Sequence, residues 1–138
     1  MTKIYFDPNY PLIIVNSKLF NYNSTHYRDV KLILDTGSTD TIVTPNAIYG
    51  LGYNLKSANN SEMSTVSDQI TCPIIKISEF QCMRYTLTDF DVAISNLPYE
   101  GQLPSQGLLG MNFLQQFNFN ISFDKGYIEI YPRNNLIT

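Results

Sequence analysis

The apolar run Leu32-Ile33-Leu34 ends abruptly on an acid, in the stretch Asp35-Thr36-Gly37-Ser38. A carboxylate at that point leaves a buried strand and enters a tight turn that Gly37 permits. Half-buried, it is costly unless it accepts hydrogen bonds, and the hydroxyls of Thr36 and Ser38 and nearby backbone N–H groups are suitable donors. An ordinary Asx turn closing a strand uses the same residue types, so the tetrapeptide alone leaves a structural and a catalytic reading open.

The surrounding sequence is β-rich. Ten Tyr and eight Phe, with many Ile, Leu and Val and few Ala, favour strands over helices. A hydrophobic fraction of 43% with 15% charged residues excludes a disordered or coiled-coil chain. At 138 residues the expectation is one domain over 1–138, able to bury roughly two-thirds of its unfolded surface without a disulfide or metal staple. Nine basic against twelve acidic residues give a net charge of −3, which argues against nucleic acid as a partner. No run reaches the roughly 18 apolar residues of a membrane helix, and Met1 to Asp7 does not read as a signal peptide. Cys72 and Cys82 make neither a disulfide framework nor a zinc site, although they could face each other across a hairpin. The expectation is therefore a cytoplasmic protein without metal or cofactor. Asn23-Ser24-Thr25, Asn59-Asn60-Ser61 and Asn120-Ile121-Ser122 fit the glycosylation pattern by chance in that compartment.

Along the chain, Tyr10–Leu19 reads as a strand, Asn21–Thr25 as a turn and Tyr27–Leu34 as the returning strand. Thr41–Thr44 resumes β-branched character, and 45–61 is a short helix or irregular excursion. Ser64–Ile77 reads as a hairpin about Ser67-Asp68. Met83–Ile94 is a strand pair or one long strand, and Asn96–Gly107 a loop. Leu108–Phe117 has helical spacing, with Leu109, Phe113, Leu114 and Phe117 on one face. Asn120–Tyr131 alternates around Lys125-Gly126 as a terminal hairpin.

Gly107-Leu108-Leu109-Gly110-Met111-Asn112-Phe113-Leu114 is the second telling segment: two apolar residues between glycines, then helical spacing. By itself it is a strand feeding a core helix. Together with Asp35-Thr36-Gly37-Ser38 it resembles the retropepsin-like aspartic proteases, single-domain relatives of pepsin, over about residues 10–131. The resemblance implies a mostly β, closed barrel or sandwich with one short C-terminal helix, active as a symmetric homodimer. It implies endopeptidase activity through a water held between two carboxylates that share a proton. Only one Asp-Thr-Gly is present, so the second Asp35 would come from an identical subunit. The other aspartates have polar or turn neighbours, with Asp89 and Asp91, flanking Phe90, the weaker exclusions.

Further roles follow from the same resemblance. Thr36 would brace the two active-site loops, Gly37 would offer its carbonyl to substrate, and Ser38 would hydrogen-bond the outer oxygen of Asp35. Thr65, Val66, Ser67, Asp68, Gln69 and Ile70 would close as a flap over an extended peptide. Leu34, Ile42, Val66, Ile70, Leu108 and Leu109 would wall the side-chain pockets. The chain departs from the family in two respects. A structural Asp–Arg ion pair of many retroviral members falls on Thr39 and Met111, so both charges are absent together. The flap segment also has no glycine. His26, the one histidine, lies in a polar stretch and reads as a solvated loop residue. The tyrosines lack basic interleaving and read as strand-face packing. Two other readings compete: a non-catalytic dimerisation or peptide-gripping module on the same fold, and a protease domain excised from a polyprotein or membrane-anchored regulator.

Overall fold

The structure, a computed structural model, describes residues 2–64, 69–96 and 105–134. Ten strands dominate it: β1 (Thr2–Tyr5), β2 (Ile14–Phe20), β3 (Tyr27–Leu34), β4 (Ile42–Val43), β5 (Asn59–Ser64), β6 (Gln69–Cys82), β7 (Tyr85–Ile94), β8 (Gly107–Leu109), β9 (Phe117–Ser122) and β10 (Tyr127–Pro132). Among the described residues, helix is confined to α1 (Pro45–Ile48), α2 (Met111–Leu114) and a 3-10 turn at Leu55–Ser57.

The order β2-β3-β8-β4-β7-β6, with β6 pairing back onto β2, closes a six-stranded barrel, and β5 hangs on the outer edge of β6. Alternation along β2 and β3 explains closure: Val15, Leu19, Val30 and Leu32 point inward and are buried. They meet Ile75, Ile77, Phe80, Phe90 and Val92 from β6 and β7 in one continuous core. Its centre is aromatic: Phe80 stacks on Phe90 at 4.5 Å, and Phe113 meets both edge-on. A second, small cluster of Ile42, Cys72 and Ala93, with Ile74 and Leu108 against it, lies on the opposite face of the same strands.

Several sequence expectations are corrected here. The helix over 108–117 shrinks to Met111–Leu114, because Leu108 and Leu109 belong to β8 and Phe117 opens β9. Leu109, Phe113, Leu114 and Phe117 are nevertheless all core residues; the spacing recorded burial, which three different elements achieve together. The excursion over 45–61 supplies the second short helix, α1. Cys72 and Cys82 lie on one strand, β6, as free thiols, and do not face each other. Of residues 83–94, Tyr85–Ile94 form one strand, entered through Met83-Arg84, whose φ values of 49° and 67° make a tight two-residue turn with Cys82 opposite Tyr85. The terminal hairpin forms about Gly126, at φ 69°, and gains a neighbour: β1 pairs with β10 from Thr2–Ile130 to Tyr5–Tyr127. The terminal strand near Ile128–Tyr131 is therefore paired on both sides in the sheet β1-β10-β9. None of the helices among the described residues is long and apolar enough to cross a membrane.

Candidate active site

β8 runs parallel to β3, with Ile33 opposite Leu108 and Leu34 opposite Leu109, and antiparallel to β4, with Ile42 opposite Leu108 and Val43 opposite Gly107. The loop 35–41 leaves β3 and enters β4, so it straddles β8. Asp35 extends the β3 ladder by one step, its N–H donating to the Leu109 carbonyl at 3.0 Å. Its position is thus fixed by pairing before any side chain acts.

The glycines that frame the site are required by close approach. A Cβ on Gly107 would sit 2.1 Å from the Ile42 carbonyl oxygen, and one on Gly110 2.1 Å from that of Asp40. Gly37 serves the carboxylate. A Cβ there would lie 3.2 Å from Asp35 Oδ1, the oxygen that accepts the Gly37 N–H at 2.9 Å. A carboxylate that accepts a backbone donor is better able to carry its charge in a half-buried position.

Ser38 behaves differently from the expectation. Its hydroxyl donates to the Asp40 carbonyl at 2.7 Å, and its N–H to the Asp35 carbonyl at 3.3 Å. It tightens the loop and leaves the carboxylate to Gly37. Thr36 is exposed on the same turn.

The candidate pocket walls separate by strand alternation. Leu108 and Ile42 share the small cluster, whereas Leu109 has no exposed surface and belongs to the main core beside Leu34, which is partly buried. Neighbours on a strand face opposite sides, so Leu108 and Leu109 cannot both line one cleft. Thr65, Val66, Ser67 and Asp68 lie outside the described residues. Gln69 and Ile70 open β6 opposite Ser64 and Met63. Asp91 is ion-paired to Lys76 at 3.0 Å, both more than half exposed, and Asp89 is exposed beside it on β7. His26 is exposed, but its Nδ1 lies 3.1 Å from Asn21 Nδ2 in the turn at the far end of β3. Among the described residues no three His, Cys, Asp or Glu side chains converge as a metal site would need.

One participant gave no signal in the sequence. Asn112, at the start of α2, accepts from both the N–H and the hydroxyl of Thr41 and donates to the Asp91 carbonyl.

Residues 21–113 match the protein family described as aspartyl protease. The chain belongs to that family. The matched span runs from the β2–β3 turn through the Asp35 loop to α2, and so holds both glycine-framed segments. The fold is similar to that of a retropepsin-like aspartic protease from Rickettsia conorii, with a TM-score of 0.66 over 94% of this chain and 90% of that one, at 21% identity. Comparison with curated protein sequences returns no match. The retropepsin-like architecture expected from the two motifs is thus the one adopted, with its closed barrel and short helices.

Proposed function

We propose that the chain is an endopeptidase that works as a symmetric homodimer, each subunit contributing one Asp35 to the catalytic pair. The observation that carries this reading is the setting of Asp35: a carboxylate at the outgoing end of a barrel strand, pinned by the Asp35 N–H to Leu109 bond and served by the Gly37 N–H. The chain has one Asp-Thr-Gly, and the reaction needs two adjacent acids. A two-fold axis through the loop supplies the second from an identical chain.

In that pair the charged carboxylate takes a proton from water while the protonated one donates to the peptide carbonyl oxygen, giving a tetrahedral intermediate. Thr36, exposed on the loop, is available to brace the partner loop. Ser38, committed to Asp40, holds the turn. An extended substrate would lie between the loop and the end of the β5–β6 hairpin, with Ile42 and Leu108 as candidate walls. The whole chain would act as one catalytic domain, and its two free thiols suit a reducing compartment such as the cytoplasm.

The test is Asp35→Asn, nearly isosteric, assayed on a peptide library. It should abolish hydrolysis while leaving the fold intact, with stability unchanged or raised by relief of repulsion between the two acids. Cleavage within tenfold of wild type by a folded variant would remove Asp35 from the reaction.

A further inference from the structure

At its far end the Asp35 loop is held by one neutral amide side chain together with backbone bonds. Thr41, fully buried where the loop becomes β4, donates to Asn112 Oδ1 twice, from its N–H at 3.0 Å and its hydroxyl at 2.7 Å. The same hydroxyl oxygen accepts the Gly110 N–H at 3.1 Å. Asn112 Nδ2 donates to the Asp91 carbonyl on β7 at 2.9 Å. Two backbone bonds run alongside, Met111 N–H to the Ser38 carbonyl at 2.8 Å and Asn112 N–H to that of Thr39 at 3.1 Å. One amide therefore ties together the loop, the β8–α2 junction and β7.

This is the region where the sequence lacks charge, at Thr39 and Met111. The bonds of the brace run through peptide groups, one hydroxyl and one amide. The titratable side chains packed around it belong to Asp40 on the loop, Asp89 and Asp91 on β7 and Lys76 on β6, the last two paired with each other. None of the bonds just described uses those side chains.

We propose that Asn112 is the positioning residue of the Asp35 loop, the neutral tie that fixes where the carboxylate stands. The inference rests on the protease reading for its kinetic consequence and on geometry alone for its structural one. It is tested with Asn112→Ala and Asn112→Asp in the full chain, by mass-resolved hydrogen exchange of segment 35–41 and by kcat and KM on one peptide.

Asn112→Ala should speed exchange of that segment at least tenfold and lower kcat at least tenfold, with KM within threefold of wild type. Asn112→Asp keeps the acceptor for Thr41 and should recover most of the exchange protection and most of kcat. Unchanged exchange in a folded Ala variant would overturn the proposal, and so would faster exchange with wild-type kcat. Where the Ala variant does not fold, Thr41→Val and Thr41→Ser decide by the same readouts: the serine, which keeps the hydroxyl, should behave as wild type and the valine should not. Equal behaviour of the two would overturn the proposal. A wild-type chain that cleaves no peptide would count against the protease reading, and the exchange comparison would still decide the tie.

Discussion

Replacing Gly110 by alanine tests whether the glycine-framed segment is a packing requirement. The added Cβ would lie 2.1 Å from the carbonyl oxygen of Asp40, 2.4 Å from its carbon and 3.0 Å from the Ser38 oxygen. All three are backbone atoms, so no rotamer change relieves the contact, and the loop must retreat by more than about 1 Å to reach ordinary van der Waals separation. β8 cannot retreat instead, since it is paired on both sides and Gly107 is as close to Ile42 at its other end.

Overpacking of this kind costs about 1–3 kcal/mol. The retreat also stretches the bonds Gly110 N–H to Thr41 Oγ1, Met111 N–H to Ser38 and Asn112 N–H to Thr39, each worth about 1 kcal/mol. The expected loss is about 4–6 kcal/mol, a large share of the roughly 5–15 kcal/mol that holds a domain folded. Urea unfolding at constant m measures it. Gly50→Ala is the internal contrast. Nothing lies within 4 Å of its Cβ, and only its φ of +80° opposes the substitution, at about 1–2 kcal/mol. A Gly110→Ala chain that loses less than 1 kcal/mol and keeps its activity would refute the argument from close approach.

Three further outcomes are expected. Specific activity should fall steeply on dilution through the dissociation range; activity that stays constant while light scattering shows monomer would place both acids in one chain. The rate should decline at high pH, because the proposed mechanism needs one protonated acid as general acid; a rate still rising through pH 8 would point to other chemistry. Burial pushes the Cys82 thiol up from 9.0 to about 12, against a smaller lowering by its hydrogen bond with the Met83 backbone. The folded chain thus keeps a proton that the unfolded chain sheds, and this contribution to stability, complete below pH 9, is lost as pH rises toward 12. The stability gap between wild type and Cys82→Ala should shrink by about 1.4 kcal/mol per pH unit in that window, and a gap that stays constant would contradict it.

The features legible in the sequence are those that a residue type enforces locally. Asp35 after an apolar run, and glycines at 107 and 110 where a Cβ cannot fit, mark the site because no other residue type solves the same problem. Gly126 marks the terminal turn for the same reason. Features set by distant partners stayed hidden. Met83-Arg84 makes a hairpin turn with two positive φ values and no glycine or asparagine, held by the long β6–β7 pairing around it. β1 is four residues long and has a partner only because β10 lies beside it. Periodicity over 108–117 misread burial as helix, since Leu109 and Phe113 reach one core from a strand and a helix. Asn112 is invisible for the same reason: its partners Thr41 and Asp91 are adjacent to it only in the folded barrel.

The terminal sheet changes what association has to do. An unpaired C-terminal strand would have made folding and dimerisation one event, because an open edge seeks a partner. Instead β10 is flanked by β1 and β9 within one chain, with Ile128 and Ile130 fully buried in the same core as the barrel strands. Each chain therefore pairs its C-terminal strand and closes its barrel by itself, and the edges of the terminal sheet are β1 and β9. On the dimer reading proposed above, what it lacks is the second carboxylate, which belongs to the reaction and contributes nothing to the core. Assembly then becomes a separate bimolecular step, and mass action bears on the occupancy of the active pair far more than on the folded state. In this fold dilution should remove activity well before it lowers the unfolding midpoint.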